Sequence, residues 1–120
     1  MQSLQHTSTL ALRQRKAHLL RSFRLPPEIL HASLVERYLK CGKANCQCHT
    51  ATGAKHGPFF YLNRCFPKGQ MQSLLLKSPQ LAQARQSLAA YAQVQQVLDE
   101  ISQINHELLR RQETLVAAPP

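Results

Sequence analysis

The chain has no tryptophan, and only 6% of its 120 residues are aromatic. A core must therefore be drawn mainly from Leu, Ala, Val and Ile. No apolar run approaches the roughly 20 residues needed to cross a bilayer as a helix, so no membrane partner is expected. The N-terminal stretch MQSLQHTSTLALRQRKAHLL has arginines and a lysine where a secretory signal needs its apolar segment; the expected location is cytoplasmic. C-x-x-C is missing, which argues against a dithiol redox centre. Paired carboxylates, a phosphate-cradling loop and a Ser/His/Asp set are missing too, and Glu28 and Glu36 are the only acids before Asp99. The expected protein is not an enzyme.

Acid is absent altogether from Cys41 to Pro79, where five Lys/Arg lie. Residues 1–40 hold seven Lys/Arg and two Glu, and residues 80–120 hold three Arg against four acids. The net charge of +9 is thus concentrated in the first two thirds. Such an excess points to a polyanion partner.

At 120 residues the chain suits a single domain, 1–120. Residues 8–25 read as a basic amphipathic helix with Ser8 or Thr9 at its N-cap and Leu12, Leu19, Leu20 and Phe23 on one stripe. Pro26 and Pro27 end it. Residues 26–79 form a β module. SLVERYLKC (33–41) reads as a strand, PFFYLNRCF (58–66) as a stronger one, and MQSLLLK (71–77) as its partner across a PKGQ turn. Two or three short strands are marginal alone and need a helix or a metal to hold them. Ser78-Pro79 reads as N-cap and first turn of a long helix, 80–112, followed by a tail, 113–120. Its apolar residues step by three or four, through Leu88, Tyr91, Val94, Leu98, Ile101 and Leu108, in a coiled-coil-like stripe. That stripe must meet the N-terminal helix or a second copy of itself, and a homodimer is expected. The fold class is α+β.

CGKANCQCHTATGAKHGPFFYL (41–62) carries three of the four cysteines and a histidine inside a Gly/Pro turn. Thiolate and imidazole donors hold Zn²⁺ tetrahedrally in structural sites. Cys41, Cys46 and Cys48 are spaced C-x4-C-x-C, with Gly42 in the first loop to take a left-handed backbone. His56 is the preferred fourth ligand, and Cys65 and His49 are its rivals. With no acid nearby to orient a histidine, metal ligation is favoured over nucleophilic chemistry. The expected cofactor is one structural Zn²⁺.

The stretch LPPEILHASLVERYLKCGKANCQCH…HGPFFYL resembles a family of small bacterial and archaeal proteins catalogued as a domain of unknown function. Cys41, Gly42, Lys43, Cys46, Cys48, His56, Gly57, Pro58, Tyr61 and Leu62 match its pattern. Ala32, Ala44 and Phe59 stand where that pattern has Gly, Pro and Tyr. The resemblance spans about residues 25 to 110 and supports His56 as fourth ligand. It also implies a link to mobile genetic elements, with a transposase or recombinase as partner.

The expected function is therefore a zinc-binding, nucleic-acid-binding accessory protein, with DNA preferred to RNA. Lys40, Lys43, Lys55, Arg64, Lys68 and Lys77 would contact phosphates, joined by Arg13, Arg15, Lys16, Arg21 and Arg24 of the N-terminal helix. Base stacking on Phe59, Phe60 or Tyr61 arises as a question, since one face of that strand should be core. The alternative is a scaffold whose long helix pairs with itself or docks on a larger enzyme.

Overall fold

The computed structural model describes residues 4–50 and 53–116, without the side chain of Cys48. It has the expected α+β composition. Helix α1 (Thr9–Ser22) precedes strands β1 (Ser33–Leu39), β2 (His56–Cys65) and β3 (Met71–Leu76), and helix α2 (Ser78–Arg110) follows. Single 3₁₀ turns lie at Gln47–His49 and Pro67–Gly69. The strands form one antiparallel sheet in the order β1-β2-β3. The chain gathers into two compact units: Met1–Pro27 with Ala92–Pro120, and Glu28–Tyr91. Among the described residues, no helix is long and apolar enough to cross a membrane.

The first unit is a helix pair. The Ser8 hydroxyl accepts the Ala11 N–H at 3.1 Å and caps α1. The helix ends at Ser22 rather than 25. Phe23 is already extended, and Leu25 is pushed the same way by Pro26. Leu12 and Leu19, two turns apart, are buried against Ile104 and Leu108, one turn apart on α2. Leu20 does not join them and is 60% exposed, because it lies roughly 100° round the helix from Leu19.

Beside this core the Glu107 carboxylate, only 6% exposed, accepts from Arg110 and Arg111. Arg111 also donates to Thr9 Oγ1 and to the carbonyls of Leu4 and Gln5. The network fastens the residues ahead of α1 to the end of α2. Hydrogen bonds from Arg110, opposed by burial and reinforced by Arg111, pull the Glu107 carboxyl down to about 2.

The second unit is the sheet and the first half of α2. Alternation along β2 sends Phe60, Leu62 and Arg64 to one face and Phe59, Tyr61 and Asn63 to the other. The α2 side chain of Arg85 lies 5.6 Å from the Phe60 ring centroid, so the helix covers the first face. Leu62, 9% exposed, is the one buried strand residue among those described. Upstream, the Leu30 N–H donates to the Ser87 carbonyl, and the His31 ring stacks on Tyr91 at 4.4 Å. The hairpin between β2 and β3 turns through left-handed Lys68 and Gly69. Helix α2 starts one residue earlier than its Ser-Pro signal suggests. The Lys77 N–H is capped by Gln80 Oε1 at 3.1 Å, which leaves Ser78 and Pro79 as its first helical residues.

Two expectations follow for the helix pair. Leu108→Ala should cost about 2–5 kcal/mol in urea unfolding, because the residue is fully enclosed. Glu107 has a depressed pKa, so its stabilisation is complete above the ordinary value of 4.5 and is lost as pH falls towards about 2. NMR signals of Leu12 and Ile104 should report that loosening, and Glu107→Gln should reduce the pH dependence in this window to the part that Glu100 contributes. An acid transition unchanged in the variant would refute the assignment.

Candidate metal centre

The antiparallel register sets the site. Leu39, last in β1, pairs with His56, first in β2, so Cys41 emerges beside the histidine. Between Arg37↔Phe59 and Leu39↔His56 the register shifts, and Gly57 and Pro58 together oppose Tyr38. This bulge turns the start of β2 towards the Cys41 end. Gly57 has φ +147°, and a Cβ there would stand 2.8 Å from the Arg37 carbonyl oxygen. Only glycine meets both conditions.

From Cys41 the chain runs through successive tight turns. The Cys46 N–H donates to the Lys43 carbonyl, His49 to Cys46, Thr50 to Gln47 and Gly53 to Thr50, at 3.0 to 3.3 Å. The left-handed backbone expected at Gly42 is not there: that residue has no positive φ, and a Cβ would meet nothing within 4 Å. The demand for glycine falls on Gly53 instead, where a Cβ would come within 1.6 Å of the Gln47 carbonyl oxygen.

These two features bring together Cys41, Cys46 and His56, whose donor atoms all lie within 4.8 Å of one another. Cys46 Sγ and His56 Nε2 are 3.1 Å apart. Around Zn²⁺, bond lengths of about 2.0–2.3 Å put neighbouring tetrahedral donors roughly 3.3–3.8 Å apart, so the cluster fits an ion with little adjustment. Cys48, the remaining cysteine of the motif, has its side chain outside the described residues. His49 does not point its Nε2 into the cluster; that atom lies 2.7 Å from the Cys41 carbonyl oxygen. The donor cluster comprises Cys41, Cys46 and His56 and does not include His49. Cys65 closes β2 nine residues after His56, about 30 Å along the strand at ~3.3 Å per residue, and is out of reach.

The basic residues divide by unit. On α1, Arg13 donates to the Thr114 carbonyl and lies 3.6 Å from Glu113. Arg15 grips Glu100 through two hydrogen bonds of 2.7 and 3.1 Å, which raises its own pKa and lowers that of Glu100. Lys16 donates to Asn105 and to the Leu115 carbonyl. Arg21 and Arg24 remain exposed. In the second unit Lys40, Lys43, Lys55, Lys68 and Lys77 are all exposed, and the Arg64 guanidinium lies 4.5 Å from the Phe66 ring centroid. Lys40, Lys43 and Lys55 flank the Cys/Cys/His cluster in sequence, one or two residues from a ligand or inside its turn.

The stripe on α2 is partly occupied within the chain. Leu108 is enclosed with α1 residues, Ile101 packs against that core, Val94 is buried, and Tyr91 is covered by His31. Leu88 is half-buried and Leu98 is 59% exposed. The sequence reading overlooked Arg37, whose guanidinium lies 5.3 Å from the Tyr61 ring centroid. Register alone would have found it, since Arg37 sits opposite Phe59 on the same face.

Comparison with curated proteins and with solved structures gives no match. The sequence profile of the family described as Domain of unknown function (DUF6788) matches residues 10–86, well over half of the chain and inclusive of the whole Cys/Cys/His cluster, and the chain belongs to that family.

Proposed function

We propose that the chain is a zinc-held nucleic-acid-binding module with DNA as its polyanion. The observation that carries this reading is the run of exposed, unpaired Lys40, Lys43 and Lys55 around a Cys/Cys/His cluster, in a segment without one acid. Cys41, Cys46 and His56 would hold the ion, with Cys48 as fourth donor. Four protein ligands leave no open position for substrate, so the ion's role is structural. Soft thiolates select zinc over the hard oxygen-seeking cations.

Lys40, Lys43, Lys55, Lys68 and Lys77 then serve as phosphate contacts, which supply affinity and release counterions without reading sequence. Arg13, Arg15 and Lys16 contribute less, because each already has an acceptor inside its own unit. Service to a transposase or recombinase rests on the sequence resemblance. The scaffold reading draws on the 59% exposed Leu98 of α2, which would seat on a second copy or a larger enzyme.

Elemental analysis should find about one Zn per chain. Cys46→Ser and His56→Ala should lose both metal and sheet, as site formation and folding are coupled. Gly53→Ala should do the same through its clash with Gln47. Cys65→Ser should retain the metal; its loss there, with retention in His56→Ala, would overturn the ligand set.

Binding to duplex DNA should weaken with a slope of about −0.9 in log affinity per neutralised phosphate on log salt. Replacing Lys43 and Lys55 by Gln should flatten that slope by up to about two units while leaving zinc in place. Arg15→Gln should change it far less. Failure to shift any nucleic acid at low salt would remove this reading and leave the scaffold.

A further inference from the structure

The face of the sheet opposite α2 is partly open, with Phe59, Tyr61 and Asn63 half-buried. It presents Phe59 and Tyr61 from β2, Arg37 from β1, and Ser73 and Leu75 from β3, with Asn63 beyond them. None of these is buried, and Leu75 is 49% exposed. Ser73 donates its hydroxyl to Asn63 Oδ1 at 2.7 Å, and Arg37 lies over the Tyr61 ring at 5.3 Å. The only acid on these strands, Glu36, points to the opposite face, where the Tyr38 hydroxyl donates to it at 2.9 Å. This face is therefore aromatic and free of negative charge, with one guanidinium, that of Arg37, reaching from the β1 edge over the central Tyr61 ring.

A second copy is poorly matched to such a face. Twofold pairing brings the same patch to itself, so two Arg37 guanidiniums would enter one interface with no strand acid on that face to answer them. Unpaired bases match it well. They offer π-faces to Tyr61 and Phe59, and their phosphates offer the negative charge that the face lacks.

We propose that this open face binds single-stranded nucleic acid, with bases stacked on Tyr61 and Phe59. A base takes the place of Arg37 over the Tyr61 ring, and the freed guanidinium meets the adjoining phosphate. Asn63 and Ser73 lie one register step away, where their polar groups can reach a base edge. In duplex DNA the π-faces are already stacked, so the same surface would have only phosphate to hold. This proposal rests on the nucleic-acid reading above and narrows it to the strand state and the residues that sense it.

Fluorescence anisotropy with a labelled oligothymidine of about 12 nucleotides, and with a duplex of equal length, tests it on the full zinc-loaded chain. The single strand should bind more tightly than the duplex. Tyr61→Ala should weaken single-strand binding about tenfold, Tyr61→Phe should bind like the parent, and the duplex affinity should hardly move. Tyr61→Leu, which keeps apolar bulk should the alanine fail to fold, should weaken it likewise, with zinc content and circular dichroism unchanged. Equal affinity of parent and Tyr61→Leu for the single strand overturns the stacking proposal while leaving phosphate binding intact. So does a light-scattering mass showing a dimer that Tyr61→Leu dissociates, which would assign the face to a second copy. Binding of neither nucleic acid removes the underlying reading, and this proposal with it.

Discussion

Cys41, Cys46 and His56 converge at one end of the sheet, and a metal ion held there would be the main constraint on the second unit. Its three strands bury only Leu62 among their described residues. A fully buried leucine contributes about 1.5–3 kcal/mol, whereas fixing the backbone of each strand residue costs about 1–2 kcal/mol. Contact of α2 with Phe60 through Arg85 adds to the favourable side without burying the second face. A metal cross-link between the end of β1 and the start of β2 would supply what burial does not, because it would remove freedom from the unfolded chain. The local oddities follow from it. The Gly57-Pro58 bulge turns His56 inwards, and the Gly53 turn leaves no room for a side chain beside Gln47.

The elements were legible wherever short-range chemistry decides them. The aromatic run of β2, the Pro-Lys-Gly turn and the Ser8 cap each specify their structure within a few residues, and each lies close to its expected place. Cys41, Cys46 and His56 were legible for a different reason: soft donors at short spacing have few other uses. What was not legible depends on partners distant in sequence. Leu20 lies outside the buried stripe because α2 meets only the Leu12–Leu19 line of α1. Tyr91, the centre of the apolar stripe on periodicity, is covered by His31 through a ring stack that no pattern announces. Gly42 carried the expected motif but no strain, while Gly53, outside it, carries the close approach.

The charges show the same division between local and distant causes. The α1 cations look like the sheet cations in sequence, yet Arg13, Arg15 and Lys16 find Glu113, Glu100 and Asn105 in their own unit. Such exposed pairs are worth little individually, about 0–1 kcal/mol, but they engage side chains otherwise free for phosphate. Residues 28–91 have no comparable acids: eight Lys/Arg stand against Glu28 and Glu36, which is +6 of the chain's +9. Like charge held on so small a unit opposes compaction, and this unit also has the thinner core. A tetrahedral site of three thiolates and one imidazole would carry a net charge of −1 and offset only one of those charges. A bound polyanion would offset several more and would stabilise the folded sheet by mass action. Fold and ligand are then coupled through one quantity: the feature that weakens the sheet alone is the feature that would reward its occupation.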